Sequence, residues 1–234
     1  MIKIGAPILA LLVLVLFYLL FEDSINWAAF GALASLFVVI WAVSQIYIIK
    51  WIDRPILRIK DYENGPPFFR PAPEIDKETR QVISIGYYVN LQIINEGKTV
   101  AKNAEPYLSS FWEFRNGDYH RDKNWIPVRL RWIFDQPQES ENLMPWKPYR
   151  FNLLNLSTSH PDEFRLLLIF LPTGQLSSFR TGRYCFEVTV FAEDTKPLSR
   201  YYFVDFLSGG ISEDFASVRN KFVIHDSKKS PNDC

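Results

Sequence analysis

"YYVNLQII", residues 87 to 94, is the stretch that best indicates how this chain folds. Val89, Leu91 and Ile93 alternate with polar residues, so an extended strand would carry apolar side chains on one face and polar side chains on the other. Such a strand covers a core on one side and meets water on the other. The stretch therefore predicts a half-buried antiparallel sheet.

A second alternating stretch, "RYCFEVTVFA" at 183 to 192, repeats this pattern with Tyr184, Phe186 and Val188 on one face. Weaker strand candidates elsewhere in the chain are "AKNAEPYLSSFWEF", "VRLRWIF", "YRFNLLNL", "FRLLLIFL" and "RYYFVDFL". Turn-rich segments separate them, and no long helical pattern intervenes. The sequence predicts a mainly β domain over residues 76–225, an antiparallel sandwich of about seven or eight strands.

The C-terminal part of this domain is ambiguous. "SEDFASVRNKF" fits a short helix capped by Ser212, and it equally fits a last strand that ends in "KFVIHD". Residues 226–234 are polar and are expected to form a disordered tail.

The segment "LQIINEGKTVAKNAEPYL" resembles immunoglobulin-like modules of prokaryotic surface and membrane proteins. In those modules a strand runs into Asn-x-Gly, a short turn follows, and an Ala leads into the next strand. The matching residues are Asn95, Gly97, Ala101 and Asn103. "TGRYCFEVTVFAED" resembles the penultimate strand of such modules, in which a Gly precedes the Tyr that begins the strand. The resemblance implies an immunoglobulin-like fold and no particular activity.

The N-terminal region has a different character, because two apolar runs without charged residues occupy about 4–21 and 27–49. A bilayer core is crossed by ~20 residues of helix. The pattern predicts a transmembrane helical hairpin over residues 1–52. A cleaved signal peptide, with Lys3 as its charged region, is an alternative for the first run.

The flanking cations indicate an orientation for this hairpin. Lys3 precedes the first run, Lys50, Arg54 and Arg58 follow the second, and the connecting "EDSIN" has no cation. Cations are retained on the cytoplasmic side. We therefore expect an integral protein of a bacterial or archaeal cytoplasmic membrane, with the bilayer as a partner and with both termini and the β domain cytoplasmic.

Small residues in the second run would permit close packing between helices. They are Ala28, Gly31, Ala32 and Ser35. They either face the first run of the same hairpin or support self-association.

A proline-rich joint, "NGPPFFRPAP", lies within a linker predicted over residues 53–75. Proline restricts the backbone, so a semi-rigid spacer is expected rather than a loose tether. Phe68 and Phe69 are expected to pack on the first sheet or to enter the headgroup layer. The prolines are Pro66, Pro67, Pro71 and Pro73.

No pattern of catalytic chemistry is evident. The chain has no phosphate-binding loop, no dinucleotide fingerprint and no Gly-x-Ser-x-Gly elbow, and its three histidines are not at metal-ligand spacing. We expect no catalytic residue, no metal and no cofactor. From Asp61 onward 21 Lys and Arg stand against 23 Asp and Glu, which disfavours nucleic acid as a partner.

An aromatic segment supplies the candidate interaction surface. Phe111, Trp112 and Phe114 lie close together in "FWEF". Either they fill the core of the sandwich, or they form an exposed patch for a partner, since aromatic residues are enriched at interfaces.

Two functions of different classes follow. The first is a membrane-anchored, non-enzymatic interaction module, an accessory or assembly subunit that meets a protein partner or a second copy of itself. The alternative is a ligand-gated effector whose β domain binds a small signal such as a cyclic nucleotide. Its layout resembles the two-helix, β-rich membrane effectors of bacterial nucleotide-signalling defence systems.

Overall fold

The computed structural model describes residues 31, 35–36, 38–45, 47, 53–63, 68–76, 78–133, 140–170, 172–173, 175–207 and 211–231. The chain divides into two compact units, Met1–Ile52 and Asp53–Cys234. The described part of the second unit is an antiparallel β-sandwich with one short helix.

The strands and the helix of the second unit follow in chain order. They are β1 (Leu57–Ile59), β2 (Phe69–Ile75), β3 (Val82–Asn95), β4 (Ala101–Arg115), β5 (Asp118–Arg121), β6 (Val128–Arg129), β7 (Arg131–Trp132), β8 (Glu141–Leu143), β9 (Pro148–Ser157), β10 (His160–Leu166), β11 (Ser178–Arg180), β12 (Gly182–Phe191), β13 (Leu198–Phe206), α1 (Phe215–Lys221) and β14 (Phe222–Ser227).

Two seven-stranded sheets contain all of these strands. Sheet 1 has the order β1-β3-β9-β10-β11, with β2 also paired to β3 and β7 also paired to β9. Sheet 2 has the order β14-β13-β12-β4-β5, with β6 and β8 also paired to β4. Every strand pair in both sheets is antiparallel.

The core lies between the two sheets and is built from the alternating residues that the sequence predicts. Val89, Leu91 and Ile93 of β3 are buried, and so are Phe186 and Val188 of β12. Full burial of one such side chain contributes about 1.5–3 kcal/mol. The mainly β, antiparallel sandwich expected from the sequence is confirmed.

Helix α1 and strand β14 resolve the ambiguous C-terminal segment, because the chain forms both in succession. The helix begins after Asp214, whose carboxylate accepts hydrogen bonds from the amides of Ala216 and Ser217, both at 3.1 Å. Ser212 does not cap it; its carbonyl instead accepts a hydrogen bond from the Tyr87 hydroxyl at 3.0 Å. The carboxylate is the better cap here because it satisfies two amide donors of the first turn.

The predicted transmembrane hairpin is corrected by the structure. In the described part of the chain, no helix has both the length and the apolar character that a bilayer crossing requires. An apolar run has the composition of a span, but composition does not determine helix length.

The predictions that depended on this hairpin are corrected with it. They are the two-helix part of the fold class, the membrane and transmembrane character, and the integral membrane location with both termini cytoplasmic. The first run, 4–21, lies outside the described residues, as does much of 27–49.

The strand count and the domain edges also differ from the sequence expectation. The described residues form 14 strands instead of seven or eight, because several paired pieces are only two to four residues long and too short to show a period. Strands β1 and β2 lie within the range 53–75 that the sequence assigns to a linker. At the other end, β14 extends to Ser227, into the expected tail.

Candidate functional site

The aromatic residues of "FWEF" do not share one surface. Phe111 points into the core, where its ring lies 5.1 Å from that of Phe179. Trp112 points to the outer face of sheet 2, where it is only 4% exposed because it is covered by Arg121, 5.6 Å above its ring, and by the edge of Tyr201. Successive residues of a strand leave on opposite faces, so Phe111 and Trp112 cannot contact one partner together.

Trp112 belongs to a small aromatic layer on the outer face of sheet 2. Its buried members are Trp112, Cys185 and Phe203, with Tyr119 and Tyr201 packed against them. Phe114, the third residue of the candidate patch, is half-buried, with its ring 5.1 Å from Tyr119 and the guanidinium of Arg183 4.3 Å above it. These aromatic side chains largely cover one another, which leaves little apolar area for a partner.

The joint "NGPPFFRPAP" is described from Phe68 onward, and Pro66 and Pro67 lie outside the described residues. Phe68 and Phe69 are both buried, and Phe69 stacks on Phe215 of α1 at 5.4 Å and on Phe222 of β14 at 6.2 Å. These contacts fasten β2 to the last elements of the fold.

Pro71 and Pro73 lie on β2, opposite Tyr87 and Ile85 of β3. The Ile85 amide donates to the Thr158 hydroxyl and the Ile85 carbonyl accepts from the Thr158 amide, both at 3.0 Å. Both backbone groups of Ile85 therefore point toward β9, and none requires a hydrogen bond from Pro73 of β2. The proline nitrogens therefore face away from β3, and the outer edge of β2 has fewer amide donors as a result.

The small residues predicted for helix packing lie in the first unit, and two of them, Ala28 and Ala32, are outside the described residues. Gly31 and Ser35 are helical and exposed, and the Ser35 hydroxyl donates to the Gly31 carbonyl at 2.8 Å. Among the described residues, no atom outside the local helix lies within 4 Å of the Cβ position of Gly31.

The most distinctive surface of the domain is the outer face of sheet 1, which we call the arginine face. On five different strands an arginine adjoins an aromatic residue that is buried in the core. Because neighbouring residues of a strand point to opposite faces, each arginine points outward. The five arginines are Arg70 beside Phe69, Arg131 beside Trp132, Arg150 beside Phe151, Arg165 beside Phe164 and Arg180 beside Phe179.

The register places some of these arginines in one row across the sheet. Arg70 lies opposite Tyr88, Tyr88 opposite Asn155, and Asn155 opposite Arg165. Adjacent strands lie ~4.8 Å apart, so the two arginines flank a Tyr and an Asn over about 14 Å.

None of the five guanidinium groups makes an ion pair or a side-chain hydrogen bond with the described residues. The arginines of sheet 2 differ in this respect, since Arg129 pairs with Glu105 and Arg183 with Asp205, both at 3.0 Å. The arginine face therefore carries positive charge that no ion pair among the described residues neutralises.

A cleft of about 510 Å³ lies at one end of the arginine face, beside the hairpin of β2 and β3. Residues of four strands line it, among them Glu74, Ile83, Tyr88, Asn155, Glu163 and Arg165. The lining combines carboxylate, amide and guanidinium groups with an aromatic ring and an aliphatic wall.

Glu74 is held in a fixed position in this cleft. The hydroxyls of Ser84 and Ser157 both donate to its Oε2 atom, and the Asn155 amide lies 3.5 Å from Oε1. A Cβ on Gly86 would lie 3.0 Å from Oε1, so the glycine leaves room for the carboxylate.

Tyr88 stays a neutral hydrogen-bond donor in this setting. Burial raises its pKa above the ordinary value of 10, the Glu74 carboxylate raises it further, and Arg70 opposes the shift.

Sequence reasoning missed the arginine face because its members span more than a hundred residues and because the chain as a whole is neutral. A signal was present in the dipeptides Phe-Arg, Arg-Trp and Arg-Phe. On a strand whose aromatic residue is buried, the adjoining arginine must lie outside.

Comparisons with known proteins add little to this picture. No protein-family model matches the chain, and no curated protein matches it. One solved structure that is similar to it in part is the X-ray structure of Northeast Structural Genomics Consortium target SoR45. The match has 9% identity and a TM-score of 0.25 and covers 63% of this chain and 81% of the other, which is too weak to support an argument about fold or function.

Proposed function

We propose that this protein is a non-enzymatic interaction module that binds an acidic protein surface through the arginine face. The observation that carries the proposal is the set of five outward arginines without ion-pair partners among the described residues. The proposal keeps the interaction module expected from the sequence and omits its membrane anchor. The gated effector is not retained, because it required hairpins that oligomerise in a bilayer.

The choice of arginine over lysine supports a protein partner. A guanidinium group is a planar fork that binds a carboxylate with two parallel hydrogen bonds, and it is more weakly hydrated than an ammonium group. Arginine is enriched and lysine depleted in protein interfaces. The arginine face has this composition, together with the amide and phenol groups of Asn155 and Tyr88.

Nucleic acid and a second copy of the chain are less suitable occupants. The chain has 26 basic and 26 acidic residues and therefore no net field to attract a polyanion from a distance. Glu74 and Glu163 at the end of the face would also repel a phosphate backbone, which is uniformly negative, whereas an acidic protein surface can place an uncharged or basic side chain opposite them. A second copy docked face to face would bring like charges together.

We also propose that the sandwich is immunoglobulin-like in detail. Asn95, which the sequence resemblance singled out, accepts hydrogen bonds from the amides of Gly97 and Ile56 at 3.0 and 3.1 Å. Its amide group donates to the carbonyls of Thr99 and Leu143 at 2.7 and 2.9 Å. This buried side chain thus supports the turn between β3 and β4.

A second contact supports the same proposal. The Tyr184 hydroxyl donates to the carbonyl of Arg180 at 2.9 Å, which has the form of the tyrosine corner of immunoglobulin-like domains. Any side chain at Gly182 would meet that hydroxyl, since its Cβ would lie 2.9 Å away. The order β13-β12-β4 fits the G-F-C order of that fold. The other sheet differs: β9 would correspond to strand E, but its neighbour β10 comes after it in the chain, whereas strand D comes before strand E.

Binding of a glutamate-rich peptide to the full chain, measured by surface plasmon resonance at physiological salt, tests the proposed function. The expected result is binding that weakens as salt rises, with at least about a tenfold loss in Arg165→Glu/Arg180→Glu. Lys102→Glu/Lys123→Glu, which makes the same charge change at exposed positions of β4 and the turn after β5, should lose much less.

Three results would reject the proposal. They are no binding of the acidic peptide, an equal loss in both double variants, and tighter binding of a single-stranded DNA oligomer of equal charge.

A further inference from the structure

The cleft is the acidic end of the arginine face, and this contrast indicates what it recognises. We infer that the cleft takes a lysine or arginine side chain of the acidic partner, so that one cation within a field of carboxylates sets how the partner docks. The inference rests on the proposed function and deepens it.

Two carboxylates from different strands line the cleft. Glu74 projects from β2 and Glu163 from β10. Glu163 is half-buried and makes no ion pair or side-chain hydrogen bond with the described residues. Glu74 accepts both serine hydroxyls on Oε2, so Oε1 keeps acceptor capacity for a ligand.

The remaining lining suits the length of a basic side chain. Ile75 and Ile83 are more than half exposed at this end of the hairpin and offer an apolar wall to methylene groups. Tyr88 also lines the cleft, and an aromatic ring can contact a cation there. A volume of about 510 Å³ exceeds what one side chain fills, which leaves room for the backbone that carries it.

Arg165 lines the same cleft and explains why the cation should be flanked by acidic residues. It has no ion-pair partner among the described residues and can bind a carboxylate next to the inserted side chain. This guanidinium would repel a ligand whose cation has no carboxylates beside it. A cation between glutamates instead satisfies both signs of charge.

This arrangement would supply specificity as well as affinity. An acidic surface can bind a uniform field of arginines in many registers with similar affinity. A single acidic cleft within that field favours the one register that places a cation in the cleft.

Two synthetic peptides test the inference by isothermal titration calorimetry on the full chain. Both are glutamate-rich and differ at one central position, which is lysine in one and the uncharged isostere norleucine in the other. On a purely positive face the lysine peptide would bind more weakly, because it carries less negative charge. We expect it to bind about tenfold more tightly.

Glu163→Gln should remove this advantage while binding of the norleucine peptide is kept or strengthened. Asp162→Asn is the matched control, since its exposed carboxylate is the next one along β10 and does not line the cleft; it should keep the advantage. Two results would overturn the inference and leave the proposed function standing. One is equal or weaker binding of the lysine peptide by the wild-type chain. The other is an equal loss of the lysine advantage in Glu163→Gln and Asp162→Asn. Absence of binding to either peptide would overturn both.

Discussion

Phe111 and Trp112 leave strand β4 on opposite faces, and their surroundings differ accordingly. Phe111 contacts rings from both sheets, with Phe179 of sheet 1 at 5.1 Å and Phe186 of sheet 2 at 5.5 Å. Phe114 is half-buried on the outside beneath Arg183. One aromatic segment therefore supplies the core and the outer layer of the same sheet.

Substitution of these residues should separate the two environments. Phe111→Ala should lower the free energy of unfolding by about 3–5 kcal/mol, because it removes a ring from a packed core and leaves a cavity. Phe114→Ala should cost about 1 kcal/mol, mostly the loss of its contact with Arg183. Urea unfolding of the full chain measures both values. Similar losses at the two positions would contradict this assignment of inner and outer faces.

Strand β2 is the element that the sequence pattern did not predict. Its residues, FRPAPEI, contain two prolines, which is why they are typical of a linker by pattern. The long β3, β4, β9, β12 and β13 could be predicted because each is long enough to show alternation. The pairing of β2 depends on where its prolines fall relative to β3, and a sequence pattern does not contain that information.

Replacement of both prolines should expose the edge of β2. In Pro71→Val/Pro73→Val two new amide donors would face away from β3, and an edge with free donors templates pairing with another chain. We expect concentration-dependent self-association in analytical ultracentrifugation, with only about 0.4–1 kcal/mol per site lost in stability.

Pro197→Val is the matched control, since that proline lies in the turn before β13 and not on an edge. A double variant that sediments like the wild-type chain would show that the prolines do not protect the edge.

At the scale of the molecule, the sandwich depends on residues 57–75 as well as on the alternating strands. Arg200 of β13 is almost fully buried and binds Asp226, Asp61 at 2.9 Å and the carbonyl of Ile59 at 3.2 Å. Phe69 fills the core beside α1 and β14. The antiparallel β-sandwich was predictable from local periodicity. The contacts of Arg200 with Asp61 and Ile59 were not, because they join residues about 140 positions apart, and the arginine face likewise exists only once the strands are aligned.

A chain that begins at Asp76 should therefore not fold, although the predicted domain boundary lies there. It lacks β1 and β2, leaves Tyr87 and Phe222 without Phe69, and removes Asp61 and the Ile59 carbonyl from a buried guanidinium. We expect no cooperative thermal transition by circular dichroism. A chain that begins at Asp53, which retains every strand of the sandwich, should unfold cooperatively. A cooperative transition in the shorter chain would refute this dependence.

The aromatic layer on sheet 2 has a consequence for chemical reactivity. Cys185 is fully buried beneath it, in contact with Trp112 and Phe203. A thiol in this position meets an oxidant or an alkylating reagent only when the layer parts. The rate at which Cys185 is modified therefore reports how often sheet 2 opens locally while the rest of the sandwich stays folded.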